Sequence, residues 1–291
     1  MARIATTTAA LLSVAALLLR GAAAWGAMGH EAVAYIATDF VSSATASYFQ
    51  GLLGDSSADY LASVASWADS YRYTTEGKFS APFHYIDAND DPPSSCGVEL
   101  DRDCGDEGCI VTALANYTTR LLDGRLSDAN HQIAAKMIIH FVGDIGQPLH
   151  CEALEIGGNS IDVQYDGDDT NLHAVWDSNI PESISGGSSL SSAKSWATTL
   201  TTAIKTGEYK SQADGWVSGL SIDSASDTAV QWATESNKYV CSTVLVGGVD
   251  AVENKDISGE YTTTAQPVVD LQIAKQGYRL AKYLDALVAA L

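Results

Sequence analysis

Apolar positions along the chain recur mostly three or four residues apart, and sustained strand-like alternation is rare. This pattern predicts helices over residues 29–53, 58–70, 110–122, 128–144, 191–206, 226–246 and 267–291. The 128–144 segment is the clearest: Ser127 stands where an N-cap belongs, and Ile133, Met137 and Phe141 draw an apolar stripe. Residues 78–108 break the pattern. They are rich in Asp, Pro and Gly and hold two cysteines, with a third directly after them at 109, so they read as an extended loop stapled by a disulfide rather than as a helix. Loops of that length tend to carry function. Gly157-Gly158-Asn159, followed by the run 161–167, predicts a small hairpin between helices. The Gly/Ser-rich stretch 185–192 reads as a surface loop, because the helices on both sides need partners. The expected fold is mainly α, a single compact helical domain.

The first residues follow another order: Met-Ala-Arg, an apolar run over 9–19, then Ala22-Ala23-Ala24. A charged start, an apolar middle and small residues at the end make a secretory leader, and the run is too short to span a bilayer. Residues 1–24 are therefore expected to be a signal peptide cut before Trp25. Residues 25–291 form the secreted product, with no membrane attachment. Losing Arg3 and Arg20 leaves 14 Lys+Arg against 36 Asp+Glu, a formal charge of -22. Such a surface repels phosphate at long range, so any affinity for a polyanion needs a local positive centre such as bound metal.

Five cysteines in a secreted chain suggest two disulfides and one leftover thiol, and spacing alone does not give the pairing. Asn116-Tyr117-Thr118 is a sequon for N-linked glycan.

Histidines and aspartates carry the candidate chemistry. His140 precedes Asp144 by four residues, and His173 precedes Asp177 by four. On a helix each pair shares one face and can aim an imidazole and a carboxylate at one metal. His140 and Asp144 also fall on the apolar stripe of their helix, where an ionised pair costs several kcal/mol, roughly, unless it is paired or metal-bound. A buried His–Asp hydrogen bond without metal would satisfy either pair alone. Two pairs with His150 close by favour metal. Asp69 and Arg72 stand in Ser-Trp-Ala-Asp-Ser-Tyr-Arg, His84 in Phe-His-Tyr-Ile-Asp, and His30 five residues after Trp25.

Taken together, the segments WGAMGH, SWADSYR, FHYIDAND, HFVGDIGQPLH, GGN and NLHAVWD resemble, in order and spacing, the S-one/P-one family of secreted zinc-dependent single-strand nucleases. The resemblance spans essentially the whole chain after residue 24. It implies a mainly helical fold like that of zinc phospholipase C, with three Zn2+ in a cleft. One zinc would be held by Asp69, His84, His140 and Asp144, and a second by His150, His173 and Asp177. The third would be held by the α-amino nitrogen and carbonyl oxygen of Trp25 with His30 and Asp144. An α-amino group has a reference pKa of about 7.7, so it can yield its proton to zinc at modest pH. Leader removal would then complete the site.

The resemblance further implies that Arg72 stabilises charge at the scissile phosphate and that Asp69 also orients the attacking water. Tyr85 would stack on a base, Asp87 would accept from the base edge, and Asn159 would line the same pocket. Members often carry Phe where this chain has Tyr85. The implied disulfides are Cys96–Cys241 and Cys104–Cys109, leaving Cys151 as a buried, inert thiol. His131 has no matching role and is expected to be a solvated helix residue. The implied partners are single-stranded DNA, RNA and 3′-nucleotides, cleaved to 5′-phosphate products by a monomer. Zinc phospholipase C and a catalytically silent secreted zinc-binding protein are the other readings; FHYIDAND favours nucleotides over lipid head groups.

Overall fold

The structure, a computed structural model, describes residues 25–291; the expected leader lies outside the described residues. The early helices are α1 (Ala27–Phe40), α2 (Ser43–Leu53), α3 (Trp67–Tyr71), α4 (Leu100–Asp103), α5 (Ile110–Leu122) and α6 (Asp128–Asp144). After them come the antiparallel strands β1 (Asp162–Tyr165) and β2 (Asp168–Asn171), then α7 (Leu172–Ala174) and α8 (Ile180–Ser185). The chain closes with α9 (Leu190–Lys205), α10 (Ala213–Trp216), α11 (Ala225–Tyr239) and the 30-residue α12 (Glu260–Ala289). Helix α12 packs on α1 and α6, α1 packs on α9, and α5 lies between α6 and α11. Phe49, Phe141, Trp176, Trp232 and Tyr283 fill one continuous core. Burial of this apolar surface is the main favourable term in folding.

Helices α5 and α6 occupy the predicted residues, and Ser127 caps α6 by accepting from Asn130 N–H. Elsewhere tertiary contacts redraw the boundaries. The stretch 29–53 is two helices, because Ser42 starts a second one: its hydroxyl accepts from Thr45 N–H, and Asp285 accepts from Ser42 N–H at 2.8 Å and from the Thr45 hydroxyl at 2.6 Å. The stretch 58–70 is mostly turn, with a 3-10 turn over Ala62–Val64, and only its end is α3. The final helix starts seven residues before Pro267, held there by Thr262 bonding Ile257 carbonyl and by Tyr261 bonding Trp176 Nε1. Past Tyr239, the predicted helix 226–246 widens into a π turn over Val240–Val244.

The loop 78–108 is more structured than expected. Its first part is a 3-10 helix, Lys78–His84, and α4 lies near its end. The disulfides are Cys96–Cys241 and Cys104–Cys109, the first tying this segment to the π turn after α11. The hairpin turns at Asp166-Gly167, with φ of 52° and 83°, the left-handed pair that a two-residue turn of primed type needs. Gly157-Gly158-Asn159 stays outside the strands. His131 is half-buried, with Nε2 3.0 Å from Asp123 carbonyl, so it anchors a turn instead of facing solvent. Among the described residues no helix is long and apolar enough to cross a membrane.

The junction at Ser42 yields a first prediction. Asp285→Ala removes the acceptor of two hydrogen bonds that start α2, and should cost about 1–2 kcal/mol in chemical denaturation. An unchanged midpoint would show that the Asp285 contact does not set this boundary.

Candidate metal centre

Four elements converge on the inner end of α6. Helix α1 brings His30, α3 brings Asp69, the 3-10 helix Lys78–His84 brings His84, and α6 brings His140 and Asp144. Asp144 has no solvent exposure. One of its oxygens lies 3.2 Å from His30 Nε2; the other lies 3.0 Å from both His84 Nδ1 and His140 Nε2. Asp69 closes the group, its Oδ1 3.8 Å from His84 Nδ1 and 3.7 Å from His140 Nε2. The imidazole of His30 stacks on that of His140 at 3.9 Å.

A second group adjoins the first. A 3-10 turn, Pro148–Cys151, supplies His150; α7 supplies His173, and the π turn Val175–Asn179 supplies Asp177. Asp177 oxygens lie 3.6 Å from His150 Nε2 and 3.1 Å from His173 Nε2. His150 Nδ1 lies 3.5 Å from Asp144, so the groups meet across that carboxylate. Trp25 is fully buried, and Gly26 N–H donates to Asp177 carbonyl at 2.8 Å. Residues 25 and 26 are thereby pinned against the second group.

Metal fits this donor set on three observations. The ligand atoms fall into three clusters within metal-binding reach: His30/His140/Asp144, Asp69/His84/His140 and His150/His173/Asp177. His140 belongs to two of them, which the sequence resemblance did not suggest. Several buried polar atoms in these clusters make no well-formed hydrogen bond and meet their neighbours only in ion-pair contacts: His30 Nε2, Asp69 Oδ1, Asp144 Oδ1 and His173 Nε2. Leaving such atoms unpaired is costly, which marks a place built for something else. Finally, the far ring nitrogens are committed: His140 Nδ1 to Ala65 carbonyl at 2.7 Å, His150 Nδ1 to His84 carbonyl at 3.1 Å, and His173 Nδ1 to Gly157 carbonyl at 2.6 Å. Those carbonyls accept N–H, so Nε2 is the nitrogen that each ring turns toward the cluster.

Electrostatics agree. Burial opposes charge on His140, but Asp144 and Asp69 outweigh it and raise its pKa to about 9. Burial also opposes charge on Asp144, and the His140 and His30 rings overcome it, holding the carboxyl well below its usual range. At His84 burial dominates and pulls the pKa down to about 4. With a proton on His140, the cluster already holds one cation among its carboxylates.

A cavity of about 170 Å³ opens beside these groups, lined by Arg72, His84, Tyr85, Asp87, His150, Asn159 and His173 among others. Arg72 Nη2 lies 3.7 Å from Asp69, and Tyr85 is 40% exposed. Sequence reading passed over three residues here. Ile156 lines the cavity mouth, 72% exposed and at φ 58°, a left-handed conformation rare for a β-branched side chain. Glu152 lines the floor; burial and the nearby Asp90 push its pKa up to about 7. Gln147, fully buried, donates to Asp177 at 2.7 Å and orients that carboxylate. The neighbours of Gly157-Gly158 and the quoted HFVGDIGQPLH segment were the available signals for them. Cys151 is buried beside Ile145 carbonyl, and burial pushes its thiol pKa far up, so it is inert as a nucleophile.

A mainly helical domain with such clusters beside a cleft has known counterparts. The S1/P1 Nuclease family matches residues 25–289. Nuclease S1 from Aspergillus oryzae is 51% identical over 289 residues, covering 99% of each chain. Nuclease P1 from Penicillium citrinum is 48% identical over 261 residues, covering 90% of this chain and 97% of its own. Endonuclease 2 from Arabidopsis thaliana is 32% identical over 272 residues, covering 90% and 89%. The chain belongs to the S1/P1 nuclease family and is a nuclease, a hydrolase of phosphoric esters.

Gly143 tests how tightly the first cluster is packed. A Cβ there would sit 2.7 Å from His30 Nδ1. Gly143→Ala should push His30 away from Asp144 and cost about 1–3 kcal/mol of stability, with His30 the imidazole whose NMR signals shift most. Unperturbed His30 signals would contradict this packing.

Proposed function

We propose that the chain is a secreted endonuclease that hydrolyses single-stranded DNA and RNA to 5′-phosphate products, and also 3′-nucleotides, acting as a monomer with three Zn2+. Three adjoining clusters of buried donors beside a cavity with an exposed aromatic at its mouth are the observation that carries this reading. Asp69, His84, His140 and Asp144 would hold one ion; His150, His173 and Asp177 a second; Trp25, through its freed amine and carbonyl, with His30 and Asp144 the third. Dications bound there supply Lewis acidity, lowering the pKa of water and screening phosphate charge.

The protein's own groups do the rest. Tyr85 would offer one face to a base, Ile156 in the same cavity an apolar surface, and Asp87 and Asn159 polar groups for the base edge. A base enters such a pocket only when unstacked from its neighbours, which selects single strands without reading sequence. Arg72 lines the cavity beside Asp69 and would meet the charge that builds on phosphate oxygens. Asp69 orients Arg72 and positions attacking water. Secretion is supported by the leader pattern of residues 1–24 and by two disulfides.

Two measurements check this. The protein starting at Trp25, assayed on single-stranded DNA, RNA, a 3′-nucleotide and phosphatidylcholine, should cleave the first three, and chelator should abolish cleavage; cleavage of lipid alone would sink the nuclease assignment in favour of a phospholipase. Arg72→Ala should lower kcat by about 10²–10³-fold, while Tyr85→Ala should act mainly on KM, by about 1–3 kcal/mol per lost stack. The start of the chain has its own test: a product beginning at Ala24 should lose one metal equivalent and most activity, and full activity from a verified Ala24 start would refute the role given to the Trp25 amine.

A further inference from the structure

A second, larger cavity of about 680 Å³ lies behind the 3-10 helix that carries His84. Its walls come from Tyr71 at the end of α3, Phe79 and Phe83 of the 3-10 helix, the acidic pair Asp106–Glu107 of the Cys104–Cys109 loop, and Arg120 of α5. Phe79 is 55% exposed, and it meets Phe83 edge-on at 5.8 Å. Asn116 lines the same cavity and is exposed.

We propose that this groove is the seat of the chain's own N-linked glycan, attached at Asn116 and folded back over Phe79 and Tyr71. The anchor is on the wall, so the first sugar starts inside the groove with no search. A saccharide presents C–H faces that cover aromatic rings and hydroxyls that hydrogen-bond carboxylates, and the groove offers both kinds of surface. A phosphodiester strand suits it less well. Two carboxylates, Asp106 and Glu107, line it with one guanidinium, and Arg120 already donates to Asn130 at 2.6 Å and lies over Tyr117.

Attachment must precede folding. The Thr118 hydroxyl of the sequon is buried against Tyr283 hydroxyl at 2.6 Å, where no transferase reaches it. Transfer from a lipid-linked oligosaccharide pyrophosphate bonds Asn116 Nδ2 to the anomeric carbon, releases the lipid pyrophosphate as leaving group, and passes the amide proton to it. Once seated, the glycan bridges α5, the disulfide loop and the 3-10 helix, and so stiffens the outer wall of the metal centre.

The proposal rests on the secretion reading, and one experiment separates the two. The full chain is expressed in a eukaryotic secretory host, and the product is analysed by N-terminal sequencing, glycopeptide mapping and hydrogen exchange. A Trp25 start with glycan on Asn116 is expected. Phe79→Ser should lower the thermal midpoint by about 2–4 °C more in glycosylated protein than in the Asn116→Gln background, where only the contact with Phe83 is lost. Enzymatic trimming to a single sugar should speed exchange across residues 71–83 by at least tenfold. No secreted product would fail both readings; a Trp25 start with bare Asn116 would fail this one alone. Equal Phe79→Ser shifts in both backgrounds, exchange indifferent to trimming, or protection of the groove by single-stranded DNA in the Asn116→Gln protein would each overturn it.

Discussion

A fully buried carboxylate surrounded by three imidazoles sets the terms for this molecule. Taking Asp144 out of water costs several kcal/mol, roughly, unless positive charge stands beside it. His30, His84 and His140 reach it from three separate elements, and Asp69 adds a second carboxylate to the same spot. Even with His140 protonated the group remains short of positive charge, and several of its donor atoms make no well-formed hydrogen bond. A multivalent cation satisfies both deficits at once. The packing of α1 and α3 against the end of α6 is therefore tied to what the cluster binds.

The same economy of charge explains how an acidic protein handles a polyanion. The chain carries 36 acidic side chains against 16 Lys+Arg, so its far field opposes nucleic acid. Attraction is confined to the cleft, where Arg72 is the one Lys or Arg among the cavity-lining residues and the His–Asp clusters supply the remaining positive potential when loaded. Selectivity is local for the same reason. In the proposed function an exposed Tyr85 beside the cavity would accept a base that has left its stack.

Much of this was legible in the sequence because it rests on local signals. The spacing of His140 and Asp144 on an apolar stripe announced a buried ionic pair, and the structure buries both. Helices α5 and α6 were readable because caps and stripe coincide. The rest depended on contacts between residues far apart in the chain. Asp285 splits the first predicted helix from 240 residues away, and Tyr261 draws α12 past Pro267 through Trp176. Ile156 and Glu152 were missed because neither carries a motif: one is placed by an unusual backbone conformation, the other by the shape of the cavity floor. The pairing of Cys96 with Cys241 was similarly invisible to spacing and came from the family resemblance.

The central claim is that these orphaned, buried donors exist to hold three metal ions. Anomalous scattering at the zinc edge, from crystals of the secreted protein grown without added metal, tests it most directly. Three peaks are predicted, lying between His30, Asp144 and the Trp25 amine, among Asp69, His84, His140 and Asp144, and among His150, His173 and Asp177. Ordered side chains in all three places with no anomalous peak, at full nuclease activity, would contradict the account.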